Sequence, residues 1–125
     1  MKAAFLSVLS ATVLAVAPGF GGEYTDPKHY TEGSFAGTRM ISDNFSEHTT
    51  LRITCIGSDD GINFWTLFGA WTDPTKGTFT MNFAPKGGPT DLPGTFKAND
   101  DGTGYIEWND GNTWTRAVTP PKFLQ

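Results

Sequence analysis

From Thr78 to Arg116 the chain alternates apolar and polar residues in short runs broken by Gly, Pro and Asp-Gly. Phe79, Met81 and Phe83 alternate with Thr78, Thr80 and Asn82, and Ile106 and Trp108 alternate with Tyr105 and Glu107. A strand turns successive side chains to opposite faces, so this two-residue period sorts apolar from polar groups across a sheet. Upstream, Leu51, Ile53 and Cys55 alternate with Arg52 and Thr54 in the same way. Between Phe64 and Trp71 both phases are apolar: Phe64, Phe68 and Ala70 against Trp65, Leu67 and Trp71. That predicts a central strand covered on both sides. Beyond the first twenty residues no stretch keeps a 3.6-residue apolar period long enough for a helix. The fold class is therefore all-β.

The spacing predicts seven strands, near 38–43, 49–56, 63–71, 77–83, 94–98, 104–108 and 113–118. Short turns rich in Asn, Asp, Gly, Ser and Pro separate them, including Ser58-Asp59-Asp60-Gly61, Asn99-Asp100-Asp101-Gly102 and Asn109-Asp110-Gly111-Asn112. Strands this short, with turn signals this regular, imply an antiparallel meander in a small barrel or sandwich. Only the Ala84–Pro93 connection is long, and its Gly and Pro keep it out of a strand interior.

The first twenty residues differ from the rest. A single Lys2 precedes an apolar stretch from Ala3 to Leu14 and then small residues, the n-region, h-region and cleavage pattern of a secretory signal over 1–17. The stretch is too short to span a bilayer, and no second one follows. An irregular N-terminal arm is expected over 18–37, the β domain over 38–118 and a loose tail over 119–125. Nine Lys and Arg against thirteen Asp and Glu give a net charge of −4, and −5 once Lys2 leaves with the signal. Such an acidic, unclustered surface argues against nucleic acid as a partner. The lone Cys55 has no internal disulfide partner and is in phase with Leu51 and Ile53, so it is read as a buried structural thiol.

Candidate chemistry is sparse. Asp59/Asp60 and Asp100/Asp101 offer hard oxygen ligands beside glycine, but without the spacing of a calcium loop, and hairpin chemistry explains them as turns. His29 and His48 lie in loops outside any zinc spacing and are read as solvated. No cofactor and no catalytic residue is expected.

The aromatics carry the functional lead. Trp108 and Trp114 flank one turn and face each other across a hairpin, beside Asn109, Asp110 and Asn112. Facing inward they are core, the reading favoured because Ile106 shares the face of Trp108; facing outward they make a platform for sugar rings, with hydrogen-bonding groups beside it. Trp71, at a strand end, is freer to be a contact residue. The loop Lys86-Gly87-Gly88-Pro89 is read as a rigid surface for a partner protein. Asn44-Phe45-Ser46 is a glycosylation sequon if the source is a eukaryote.

Several segments together carry a resemblance: Gly22-x-Tyr24-x-Asp26-Pro27-x-His29, Gly37-x-Arg39-x-Ile41, Asp60-Gly61, Phe83-x-Pro85-Lys86-Gly87-Gly88-Pro89-x-Asp91-Leu92-x-Gly94 and Ile106-x-Trp108-x-Asp110-Gly111-Asn112-x-Trp114-Thr115. The pattern resembles small secreted β-rich proteins of marine microalgae, a group without a settled activity. The resemblance implies a eukaryotic algal source and secretion or a cell-surface location, with an endomembrane or plastid lumen as the alternative. The function expected is a secreted, non-enzymatic binding domain for carbohydrate or extracellular matrix. Two alternatives stand beside it: an accessory subunit docking through the Lys86–Pro89 loop, and a small-ligand carrier or enzyme using a barrel interior.

Overall fold

A computed structural model describes residues 20–44, 52–101 and 103–116, with the side chains of residues 43 and 44 left out. The expected signal, His48, the sequon side chain of Asn44 and the C-terminal tail lie outside that description. Eight strands follow in chain order: β1 Gly22–Thr25, β2 Thr38–Asn44, β3 Arg52–Ser58, β4 Phe64–Asp73, β5 Thr78–Asn82, β6 Leu92–Ala98, β7 Gly104–Trp108 and β8 Thr113–Arg116. Each pairs antiparallel with the next, and β8 returns to β1, closing a barrel. The described residues form no α-helix, and none of their helical turns is long and apolar enough to cross a membrane.

The fold is the expected all-β antiparallel meander closed as a small barrel, with eight strands where about seven were expected. The segment expected as an irregular arm supplies β1, where Tyr24 pairs with Arg39 of β2 on one side and Arg116 of β8 on the other. Four residues that begin with glycine show too little alternation to read as a strand; their extended form comes from two neighbours supplying hydrogen bonds. Similarly, β6 starts at Leu92 rather than Gly94. Pro93 fits there because its carbonyl accepts the Asn109 N–H, while the N–H it lacks is not needed.

Inward residues fill the barrel: Tyr24, Ile41, Ile53, Cys55, Leu67, Trp71, Phe79, Met81, Phe96, Ile106, Trp108 and Trp114. An eight-stranded barrel is about wide enough for side chains to fill, so the space is core rather than channel. Large rings fit because glycines face them across the ladder. Gly57 lies opposite Trp65 and Gly94 opposite Trp108. A Cβ on Gly94 would come within 2.8 Å of the Trp108 ring.

One end of the barrel is plugged by Phe20. Its ring packs on Trp71 at 4.6 Å, on Phe79 at 5.2 Å and on Phe96 at 5.5 Å between centroids. The Tyr24 hydroxyl donates to the Phe20 carbonyl, and burial pushes that phenol well above its ordinary pKa.

The outer face of β4 is not covered as the double apolar pattern implied. Phe64 is 47% and Phe68 46% exposed, and Ile56 of the neighbouring β3 is similarly open. In a closed barrel each strand has one inner face, so only Leu67, Trp71 and the half-buried Trp65 reach the interior from β4. Phe68 instead carries the Arg52 guanidinium 4.3 Å above its ring.

Candidate ligand site at the barrel mouth

In an up-and-down barrel the connections after odd-numbered strands emerge at one end. Here those are residues 26–37, 59–63, 83–91 and 109–112, and they gather almost all the polar side chains of interest. Between them lies a pocket of about 280 Å³. Trp108, Trp114, Phe83 and Leu92 supply its apolar surface, and Asp26, Lys28, His29, Lys86, Asp110 and Asn112 its polar surface.

The apolar part is a continuation of the core. The Trp108 and Trp114 rings meet edge-on at 4.7 Å, and Phe83 stands against Trp108 at 5.1 Å. Trp108 is 4% and Trp114 2% exposed, so the hairpin pair faces inward. This is the inward alternative that the shared face of Ile106 and Trp108 favoured, and no outward platform forms: closure of β8 onto β1 fixes the phase of Ile106, Trp108 and Trp114 as interior. The two rings reach the ligand side as a pocket floor rather than as an exposed surface. The Trp108 Nε1–H and the Trp65 Nε1–H are buried with no hydrogen-bond partner among the described residues.

Below the floor sits a fully buried charge. Arg39 occupies the inward phase of β2, two residues before Ile41, and is fully buried. Its Nη1 donates to the Ser58 carbonyl at 2.8 Å, and its Nη2 to Asp26 Oδ2 at 2.8 Å and Asp59 Oδ1 at 2.7 Å. The guanidinium also lies 4.8 Å from the Trp65 ring centre and 5.1 Å from that of Trp114. Two carboxylates, a carbonyl and two π faces replace the water this cation has lost.

The anions are tied down in turn. Burial pushes the Asp26 carboxyl up. Hydrogen bonds from the Asn112 amide and the Lys28 N–H, together with the Arg39 charge, outweigh that and hold it below the ordinary carboxylate range. Asp59 also receives Lys86 Nζ at 2.9 Å and has His29 Nε2 3.9 Å away. Lys86 is thus folded back over the mouth, 5.4 Å from the Trp65 ring centre. The 3-10 turn Ala84–Lys86 and left-handed Gly87 make that return possible. The loop expected as a partner surface therefore forms one wall of the pocket, with Gly87, Gly88 and Pro89 lining it.

The remaining sequence candidates are dispersed. Trp71 is 4% exposed at the plugged end, so it is core rather than a contact residue; its strand-end position is sealed by Phe20. Asp60 accepts the N–H groups of Ile62 and Asn63 and the Asn63 amide, which hold its carboxyl low and cap the β3–β4 turn. Asp101 accepts the Thr103 N–H near the plugged end, in the same turn as Asp100. Among the described residues no three His, Cys, Asp or Glu side chains gather to hold a metal ion. Cys55 is buried and unbridged, and burial pushes its thiol up to about 12 against the pull of Arg39 and Lys86. His29, read as solvated, is exposed at the pocket edge.

Sequence reading missed Asp26, Lys28, Arg39, Phe83 and Leu92 as members of one site. The usable signal was Arg39: a charged residue in the apolar phase of a strand needs buried partners, and Asp26 and Asp59 are the acidic residues at the neighbouring strand ends.

No protein-family model, curated protein or solved structure matches the chain.

Proposed function

We propose that the protein is a non-enzymatic binding domain that takes a small, neutral, hydroxyl-bearing ligand, a sugar ring foremost, at the open end of its barrel. The observation that carries this is Trp108. It is a nearly buried indole that floors the pocket, and its N–H lacks a partner among the described residues. A buried donor without an acceptor is costly, so a ligand whose seating draws the indole edge toward one of its oxygens gains that hydrogen bond. An aromatic floor with a few convergent polar groups is the usual make-up of a small-molecule site, and the pocket volume is near the lower end of that range.

Charge favours a neutral occupant. Arg39 and Lys86 balance Asp26 and Asp59 in one hydrogen-bonded chain, which leaves Lys28 and Asp110 to offset each other at the rim. Binding is favoured over catalysis because Cys55 is sealed in the core and the carboxylates of Asp26 and Asp59 are held by cations. Among the described residues, side chains fill the interior up to the mouth. The signal-like residues 1–17 support a secretory route for such a domain.

The test is a glycan array followed by titration while watching the Trp108 indole N–H resonance. A bound sugar is expected to shift that resonance. Trp108→Phe, which keeps an aromatic ring in the floor, should weaken binding about fivefold, the value of one hydrogen bond of ~1 kcal/mol. Folded protein that binds nothing across the array would remove the carbohydrate reading.

A further inference from the structure

The mouth pocket does not end at the rim. A second depression of about 340 Å³ lies beside it, formed by Pro93, Thr95, Glu107, Asn109, Gly111 and Thr113. Trp108 and Asn112 border both depressions. Resting on the reading of the mouth as a sugar site, we propose that the ligand is an oligosaccharide. One terminal ring occupies the mouth, and the next lies in this groove along β6, β7 and β8.

The strand register builds the groove. Thr95 pairs with Glu107 across β6 and β7, and Glu107 pairs with Thr113 across β7 and β8. Opposed residues share a face, so a hydroxyl, a carboxylate and a hydroxyl lie in one row at the strand spacing of about 4.8 Å. That spacing is comparable with one sugar ring. Glu107 also holds Lys97 Nζ at 2.8 Å, which sets a donor beside the acceptor. The Asn109 backbone N–H is fixed on the Pro93 carbonyl, which positions the turn while its carboxamide stays available.

The mouth and the groove differ in what they have left to offer. In the mouth, Asp26, Asp59, Lys86 and Asn112 are engaged with one another or with Arg39. In the groove, the side chains of Thr95, Asn109 and Thr113 have no hydrogen-bond partner among the described residues. The floor thus offers apolar contact and the Trp108 N–H, and the remaining hydroxyl recognition falls to the groove. A single ring cannot occupy both, whereas two linked rings can.

The experiment compares glucose, mannose, galactose and xylose with their β-1,4-linked di- and trisaccharides. Affinity is read from tryptophan fluorescence and from amide shifts of the full mature chain. At least a tenfold gain is expected between one unit and two, with shifts at Glu107 and Thr113 appearing only for the longer sugar. The double variant Glu107→Gln/Thr113→Val should bring the disaccharide down to monosaccharide affinity while leaving the monosaccharide unchanged. Both side chains point away from the core, and an unchanged circular dichroism spectrum confirms the fold. Equal affinity for one and two units, or a double variant without effect on the disaccharide, overturns the extension and leaves the mouth site standing. No Trp108 response to any of these sugars overturns both.

Discussion

Arg39 is the residue around which the site is organised, and its neighbours show what it costs to remove. With the guanidinium gone, Asp26 and Asp59 lose the cation between them, and Asp26 is almost wholly buried. Breaking a buried pair by deleting one partner typically costs about 3–5 kcal/mol. Arg39→Ala is expected to lose stability of that order in urea unfolding. Arg39→Lys should recover only part of it, since one ammonium cannot reproduce the fork to Ser58, Asp26 and Asp59. A loss below ~1 kcal/mol for the alanine variant would contradict the burial described.

Asp26 adds a pH signature at the same scale. Its folded pKa lies below the unfolded value of about 3.9, so its contribution is present above that value and is lost as pH falls through the folded pKa. Urea midpoints between pH 2 and 7 should therefore fall on the acid side of about pH 4. Asp26→Asn should flatten that part of the profile while lowering stability at neutral pH. An acid limb identical in both proteins would place the linkage elsewhere.

At the scale of elements, the facing of one glycine and one tryptophan connects the β6–β7 ladder to the site. Trp108 lies over Gly94, and Phe79 stands 3.1 Å from where a Cβ on that glycine would be. Gly94→Ala should force the indole outward or tilt it, at a typical overpacking cost of ~1–3 kcal/mol. Near-ultraviolet circular dichroism should change, and affinity for any mouth ligand should fall further than for Trp108→Phe. A variant with wild-type spectrum and stability would mean that the ring does not rest on Gly94. The neighbouring β7–β8 hairpin was largely legible in the sequence. Ile106 and Trp108 alternate cleanly, and Asn109-Asp110-Gly111-Asn112 is strong turn chemistry, so the hairpin could be read locally. β1 could not, because Gly22-Glu23-Tyr24-Thr25 is extended only through its pairing with β2 and β8.

At the scale of the whole molecule, closure has the fewest paired positions among the described residues. Among the described residues β3 and β4 pair over seven positions, from Arg52↔Ala70 to Ser58↔Phe64, and β1 and β8 over two, Tyr24↔Arg116 and Thr25↔Thr115. Local opening starts where few paired backbone groups must separate. Amide exchange should therefore be fastest along the β1–β8 seam and slowest in β3 and β4. Equal protection in all strands would mean that the barrel opens only by global unfolding.

Alternation and turn chemistry are local properties, so the sequence by itself determined that the chain forms short antiparallel strands joined in a meander, with Cys55, Ile106 and Trp108 in apolar phases. It could not determine which side of each sheet becomes the inside, because a two-residue period separates two faces without naming one of them. Ile106 on the face of Trp108 already favoured an inward pair, and closure of β8 onto β1 decided it and left Phe64 and Phe68 outside. Closure also gathered Asp26, Arg39, Asp59, Lys86 and Asn112, from five separate stretches of chain, at one rim. The physical reason is range. A strand's pattern is set by neighbours two residues away, whereas a site at a barrel mouth is set by pairings such as Tyr24 with Arg116, nearly the length of the folded chain apart.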